Sequence, residues 1–167
     1  RCLLEPTKRS NRAEVISLLS ELRAQGERGV LTRESYAAQP GATSWRILSS
    51  EPFEPTAAYG RARRALSDAP EALRIPLLRE LYESEARVAT VLLGTNDVRY
   101  RRGPERFATH YLMIVNTLLD AGVLPILSTL PPQKDKTRDA QTLVLNQIIR
   151  AVAAASRLPL IHLRRAL

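Results

Sequence analysis

The chain has 167 residues, 44% of them hydrophobic, which is enough for one domain with a substantial core and too few for two comfortable ones. Its only cysteine is Cys2, so the sequence excludes an internal disulfide and any metal site built from several cysteines. No apolar run approaches the roughly 20 residues of a membrane span, and the first residues do not read as a signal peptide. We therefore expect a single domain over residues 1–167, with no membrane span.

The formal net charge of +8 comes from 25 Lys and Arg residues against 17 Asp and Glu residues. Almost all of the basic residues are arginines, which together with abundant Ala and Leu is typical of a GC-rich bacterial genome. The densest groups, at 61–64 and 99–102, are short and lack a series of aromatic residues on which bases could stack. A solvated basic face is therefore favoured over a nucleic-acid site.

The first half of the chain mixes strand-like steps with helical spacing. The elements predicted there are a short strand Cys2–Leu4, a helix from Asn11 to Gly26, a strand Gly29–Arg33, a helix-like segment 42–48 and a short helix 59–66. Prolines interrupt most of the region between 49 and 70, so no further regular element is expected there.

The second half alternates strands and helices. In order these are an amphipathic helix over 72–84 that Pro76 bends or shortens, a strand from Val88 to Leu93, a long helix from Pro104 to Gly122, a strand Val123–Leu130, a helix from Asp139 to Ser156 and a last strand Leu158–Leu163. Strands joined by helical connections of this length form a parallel sheet with right-handed crossovers.

The stretch Val88–Asp97 is the one around which the chain is organised. Its apolar, β-branched run stops at Gly94 before polar residues, which predicts a buried parallel strand that ends in a polar loop. Ligands of open α/β sheets bind at that end of the strands. The amide of Asn96 would be placed there to donate to a developing oxyanion, whereas the alternative is that Gly-Thr-Asn-Asp only turns the chain and caps the next segment.

Two further positions, Ser10 and Gly41, each allow a functional and a purely structural interpretation. Ser10 lies at a possible strand-to-helix turn, where a nucleophile would be exposed near helix amides, but a serine beside a helix start is also a common cap. Because Gly41 has no Cβ, its backbone N–H would be open to the approach of an anionic group. A glycine after a proline is also an ordinary turn.

Three stretches, in this order, resemble the SGNH (GDSL-type) hydrolase family. They are Gln39–Ser44 followed by Ile47-Leu48, then Val91–Asp97, then Asp120–Pro132. The similarity covers the chain from about Ser10 to Leu163. The resemblance implies an α/β protein with a flavodoxin-like three-layer α/β/α sandwich and a parallel sheet, which hydrolyses esters through a serine nucleophile.

In that family the oxyanion is held by the backbone N–H of the nucleophile, by a glycine N–H and by an asparagine amide. The resemblance therefore implies Ser10 as the nucleophile and Gly41 and Asn96 as oxyanion donors. Asp97 matches the residue that follows the asparagine, and we expect it to brace the loop rather than react. No metal or cofactor is expected in this pocket.

The sequence departs from the family's pattern in two places. Lys8-Arg9-Ser10 stands where the family has Gly-Asp-Ser, which removes the tight turn and inverts the local charge. The Asp-x-x-His block that supplies the general base is absent. His110 is expected to be structural or exposed, and His162 lies too early to be the base. Either the domain is incomplete, at the C-terminus and possibly at the N-terminus, or it keeps the pocket and has lost the reaction.

These observations predict an SGNH-like hydrolase domain that cleaves acyl esters, with a small-molecule or glycan ester as substrate. The first alternative is a catalytically inactive domain of the same fold that binds an acylated glycan or another ligand. The second is a basic nucleic-acid-binding domain, which the scattered charges disfavour.

Overall fold

A computed structural model describes residues 35–38, 41–51, 70 and 73–166 of the chain. All of these residues fall within one compact unit, 35–167. Several predicted features lie outside the described residues, namely Ser10, the strands Cys2–Leu4 and Gly29–Arg33, the helix from Asn11 to Gly26 and the short helix 59–66.

The described sheet has three parallel strands in the order β1-β2-β3, with β1 at Val88–Val91, β2 at Leu124–Ser128 and β3 at Leu160–Ile161. In the register of the sheet, Val91 pairs with Leu127, and Leu127 pairs with Leu160. The predicted parallel arrangement is confirmed. Because parallel strands end at the same edge, the segments that follow β1, β2 and β3 lie along one side of the sheet.

Helices connect the strands: α1 at Pro76–Ser84, α2 at Thr95–Arg99, α3 at Pro104–Asp120, α4 at Lys136–Ala155 and α5 at Leu163–Ala166, preceded by a 3-10 turn at Arg46–Leu48. Pro76 and Pro104 begin α1 and α3, where a missing N–H breaks no helical hydrogen bond. α4 is capped by Asp135, whose Oδ1 accepts a hydrogen bond from the Arg138 N–H at 2.8 Å.

The core lies where α3 and α4 pack on β2. α3 presents one apolar stripe with helical spacing, made of Phe107, Tyr111, Ile114, Val115 and Leu118. α4 adds Leu145, Ile149 and Val152, and the strand side adds Leu127 and Leu130. Full burial of one such side chain stabilises the fold by about 1.5–3 kcal/mol. This layer therefore holds the start of α3 against the end of β2.

Burial differs from the sequence-based expectation on two elements. Val88 and Leu92 are 50% and 54% exposed, Thr90 is exposed as well, and Val91 alone is buried in β1, so the prediction of a buried strand is wrong for most of its length. Leu112 and Leu119, predicted to pack towards the sheet, lie on the exposed side of α3. An apolar run indicates that a strand or helix forms, but the tertiary structure decides which of its faces is covered.

Element boundaries differ mainly where a cap or a proline decides them. α4 begins three residues before the predicted Asp139, because Asp135 supplies the cap. The helix predicted over 72–84 starts at Pro76, which is one of the two effects expected of that proline. The segment 42–48 forms only the 3-10 turn at its end, and the last strand is limited to β3.

Candidate active site

Gly94 ends the β1 segment in a conformation that a residue with a side chain rarely adopts. Its φ is +130°, and a Cβ at this position would lie 3.0 Å from Leu130 Cδ1 and 3.0 Å from Phe107 Cε2. Glycine is therefore required here both by the backbone and by the space available. The turn starts α2 immediately and so places Asn96 and Asp97 at the carboxyl end of β1.

Gly41 begins a second segment that packs against the first. Its φ is +82°, again in the region that favours glycine. After it, Thr43 and Ser44 are buried, and the Arg46 N–H donates to the Thr43 carbonyl at 3.0 Å to start the 3-10 turn. The sequence thus forms a tight turn whose polar side chains point inward rather than into solvent.

Asp97 joins the two segments. Its Oδ2 accepts a hydrogen bond from the Ser44 N–H at 3.0 Å, and its Oδ1 accepts one from Ser44 Oγ at 2.6 Å. Asp97 is 1% exposed and Ser44 is fully buried. A buried carboxylate needs such donors, because an unpaired one is strongly destabilising. The expected bracing role of Asp97 is confirmed by these contacts.

Asn96 makes the second connection between the segments. Its Nδ2 donates a hydrogen bond to the carbonyl oxygen of Ala42 at 2.9 Å. An amide NH2 carries two hydrogens, so this contact uses one donor and fixes the direction of the other. The structure therefore brings Asn96 next to the residue that follows Gly41.

His110 on α3 reaches the same buried cluster. Its Nδ1 lies 3.3 Å from Ser44 Oγ. Because the Ser44 hydroxyl donates to Asp97, we assign the proton of the His110–Ser44 contact to Nδ1, which leaves Nε2 with its lone pair in the neutral ring. Burial lowers the pKa of His110, Asp97 opposes this effect, and Arg102 and Arg106 lower the pKa further.

The contact of His110 with Ser44 was not predicted. The two residues are 66 positions apart, and a histidine beside the apolar stripe of a helix carries no sign of what packs against it. His162, in contrast, is exposed and directly follows β3, where its carbonyl accepts a hydrogen bond from the Arg165 N–H at 2.9 Å.

The comparison with protein families agrees with this arrangement. A model of the GDSL-like Lipase/Acylhydrolase family matches residues 21–167. The chain belongs to this family. Together with the open parallel sheet, this membership confirms the predicted α/β SGNH fold. No curated protein matches the chain significantly.

Membership of the GDSL-like family supports acyl hydrolysis as the general kind of reaction and small-molecule esters as the kind of substrate. The matched range contains Gly41, Asn96, Asp97 and His110. Ser10 lies before the matched range and outside the described residues, so its role as the nucleophile stays a prediction.

A second asparagine, Asn146 on α4, is hydrogen-bonded to the backbone of Leu130, which packs against Gly94. It is fully buried, its Oδ1 accepts from the Leu130 N–H at 2.6 Å, and its Nδ2 donates to the Leu130 carbonyl at 3.1 Å. Leu130 is one of the two residues that leave no space for a Cβ at Gly94. Sequence reasoning missed Asn146, although a polar residue between Leu145 and Ile149 on an apolar stripe is a signal that could have found it.

Other kinds of site were also sought in the described ranges. There, no group of three or more His, Cys, Asp or Glu side chains is arranged to hold a metal ion. Among the helices that the structure describes, none is long and apolar enough to cross a membrane.

Proposed function

We propose that this chain is a serine-dependent ester (acyl) hydrolase of the SGNH type, in which the Gly41 N–H and the Asn96 amide stabilise the oxyanion. The observation that supports this most strongly is the hydrogen bond from Asn96 Nδ2 to the Ala42 carbonyl. It fixes the amide beside the Gly41 segment before a substrate binds. Donors that are fixed in advance stabilise a transition state well, because they need not reorganise when the charge develops.

In this proposal Ser10 Oγ attacks the ester carbonyl carbon, and the carbonyl oxygen becomes the oxyanion held by Gly41 and Asn96. The alcohol then leaves, and water hydrolyses the acyl-serine ester. A serine hydroxyl needs a base to accept its proton. The proposal leaves this base unassigned; the group that takes the Ser10 proton passes it to the oxygen of the departing alcohol, and in the second step a proton from the attacking water returns to Ser10 Oγ.

A second candidate is a domain that uses the same donors to bind the acyl carbonyl of a glycan or another ligand without turnover. One sequence observation favours it: Lys8-Arg9 stands in place of the family's Gly-Asp.

The two candidates are separated by p-nitrophenyl butyrate hydrolysis and by labelling with a fluorophosphonate, which reacts with activated serines. The proposal predicts p-nitrophenol release and a label on the peptide that contains Ser10, both lost in Ser10→Ala. Ser50→Ala, at an exposed serine, serves as the matched control. A folded protein that neither cleaves the ester nor takes up the label contradicts the hydrolase proposal and supports the binding domain.

A further inference from the structure

Four exposed arginines, Arg99, Arg101, Arg102 and Arg106, lie directly after Asn96 and Asp97; we call them the arginine cluster. Within the described part of the chain, none of the four forms an ion pair with a carboxylate. The acidic residue among them is Glu105, which is also exposed. The segment therefore presents a local excess of positive charge to solvent.

The arginine cluster is attached rigidly to the candidate site. The Arg102 N–H donates to the Asp97 carbonyl at 2.8 Å, and the Arg101 N–H donates to the Val98 carbonyl at 3.1 Å. These two bonds form the Schellman motif that ends α2. Because Asp97 is itself held by Ser44, the backbone of the cluster has a fixed position relative to Asn96.

The motif places Arg101 where glycine is usual. Its φ is +52°, a left-handed conformation that costs a residue with a Cβ more than it costs glycine. An arginine at this position adds an exposed positive charge to the turn after α2 at the expense of backbone stability. Positions of this kind are grounds for seeking a function of the side chain.

Arg102 and Arg106 approach the site from two elements, the turn after α2 and the first turn of α3. Arg106 precedes His110 by one turn of α3, and the His110 ring contacts Ser44 in the Gly41 segment, while the Arg102 N–H is bonded to the Asp97 carbonyl. In agreement with this placement, the charges of both arginines lower the pKa of His110. The two arginines are therefore connected to both segments that carry the proposed oxyanion donors, Arg102 through its bond to Asp97 and Arg106 through the turn of α3 that bears His110.

We propose that Arg102 and Arg106, with Arg101 beside them, form an anion-binding subsite that selects ester substrates carrying a carboxylate or phosphate group. The selection of substrates rests on the proposed hydrolase function, whereas anion binding itself does not. Guanidinium groups bind carboxylate and phosphate through paired N–H donors, which a neutral ester cannot use. A nucleic acid is disfavoured as the ligand, because it needs a longer basic track than this one turn.

Binding of the anion can be measured without turnover. The chain has only two histidines, so the NMR signals of the His110 ring can be assigned. Inorganic phosphate bound at Arg102 and Arg106 should raise the pKa of His110, because it offsets the two positive charges. Sodium chloride at equal ionic strength should have a smaller effect on His110.

The double variant Arg102→Gln/Arg106→Gln should raise the pKa of His110 without phosphate and remove the response to phosphate. Arg138→Gln/Arg150→Gln, at two exposed arginines of α4, is the matched control and should keep the response. An unchanged His110 pKa on addition of phosphate to the wild type overturns the proposal, and so does a control variant that also loses the response.

Selection is tested with p-nitrophenyl butyrate and 3-carboxy-4-nitrophenyl butyrate, which differ by a carboxylate on the leaving group. The Arg102→Gln/Arg106→Gln variant should raise KM for the carboxylated ester about tenfold, and by a much larger factor than for the neutral ester. Equal changes for both esters overturn the selection. If neither ester is cleaved, the hydrolase proposal fails and the phosphate titration still decides anion binding.

Two results together would assign the arginine cluster to nucleic acid instead. A single-stranded oligonucleotide would have to bind in a salt-dependent way and raise the pKa of His110 more than phosphate does, and the enzyme would have to show no preference for the carboxylated ester.

Discussion

The ends of β1 and β2 are both fixed by a buried network that includes an asparagine, but the two asparagines are used differently. Asn146 forms hydrogen bonds with the backbone of Leu130 through both its amide oxygen and its amide nitrogen, and it is fully buried. Asn96 uses one amide hydrogen on Ala42 and is only partly buried. Each amide keeps one hydrogen that these contacts do not use, but Asn146 is fully buried, so only the remaining hydrogen of the partly exposed Asn96 can reach a ligand.

The segments around the two asparagines show the same difference. The end of β2 is closed by further structural bonds, since Asp139 accepts from the Gln133 N–H and pairs with Arg164 through two hydrogen bonds of 2.7 Å. The end of β1 leads instead into an exposed turn rich in arginine. One strand end is therefore built for stability, and the other is held rigidly but left open to solvent.

The largest expected effect on stability is at Asn146. Asn146→Ala leaves the buried N–H and C=O of Leu130 without partners, which should lower the free energy of unfolding by about 3 kcal/mol. Urea denaturation measures this change. Gln147→Ala, at the exposed neighbouring position, should change it by less than about 0.5 kcal/mol. Equal effects at the two positions would mean that Asn146 does not hold Leu130.

Gly94→Ala tests whether the two strand ends are in close contact. Its Cβ would meet Leu130 and Phe107, so we expect a loss of about 2 kcal/mol. Gly122→Ala has a positive φ but open space and should lose about 1 kcal/mol, whereas Gly103→Ala has neither constraint and should be close to neutral. Thermal unfolding of the three variants would contradict this account if the order were different.

Arg101→Gly should act in the opposite direction. Glycine adopts the left-handed conformation at Arg101 without a Cβ penalty, so the free energy of unfolding should rise by about 0.5–1 kcal/mol. Chemical denaturation of the variant beside Arg99→Gly, which replaces a residue inside α2 and should be destabilising, gives the comparison. A loss of stability in Arg101→Gly would show that the arginine side chain stabilises the turn.

The smallest effect should be a pH dependence at the end of β2. Hydrogen bonds from Arg164, and then from the Gln133 N–H, lower the pKa of Asp139 from 3.8 to about 2. A lowered pKa in the folded state stabilises the fold fully above pH 3.8, and this contribution is lost as the pH falls towards 2.

In Arg164→Gln the pKa of Asp139 should move back towards 3.8, as NMR titration of the carboxyl carbon would show. The stability difference between Arg164→Gln and the wild type should be present at pH 5 and much smaller near pH 2, where Asp139 is about half protonated in the folded wild type. A difference that is the same at both pH values would contradict the ion-pair account.

Much of the fold could be predicted from the sequence, because it follows from local patterns. The apolar spacing from Phe107 to Leu118 predicts α3, and Gly94 marks the end of the β1 segment. The β-branched run predicts β1 itself, but the exposure of Val88 depends on what the rest of the chain covers. Boundaries such as the start of α4 depend on a single cap, which composition does not reveal.

The candidate site could be predicted only in part, for a related reason. Asn96 and Asp97 are recognisable because they follow a strand at a glycine, where a sheet places its ligands. His110 and Asn146 matter through contacts with residues distant in sequence, Ser44 and Leu130, so no local pattern indicates their partners. Their roles depend on the packing of α3 and α4 against the sheet.

The central claim is that Asn96 donates to the oxyanion while Asn146 only stabilises the fold. The most direct test is the kcat of Asn96→Ala for p-nitrophenyl butyrate, beside Asn116→Ala at an exposed asparagine of α3. The account predicts that kcat falls by roughly 10²–10³ in Asn96→Ala, in a protein that remains folded, and stays within about twofold of the wild type in Asn116→Ala. A folded Asn96→Ala enzyme with the kcat of the wild type would contradict it.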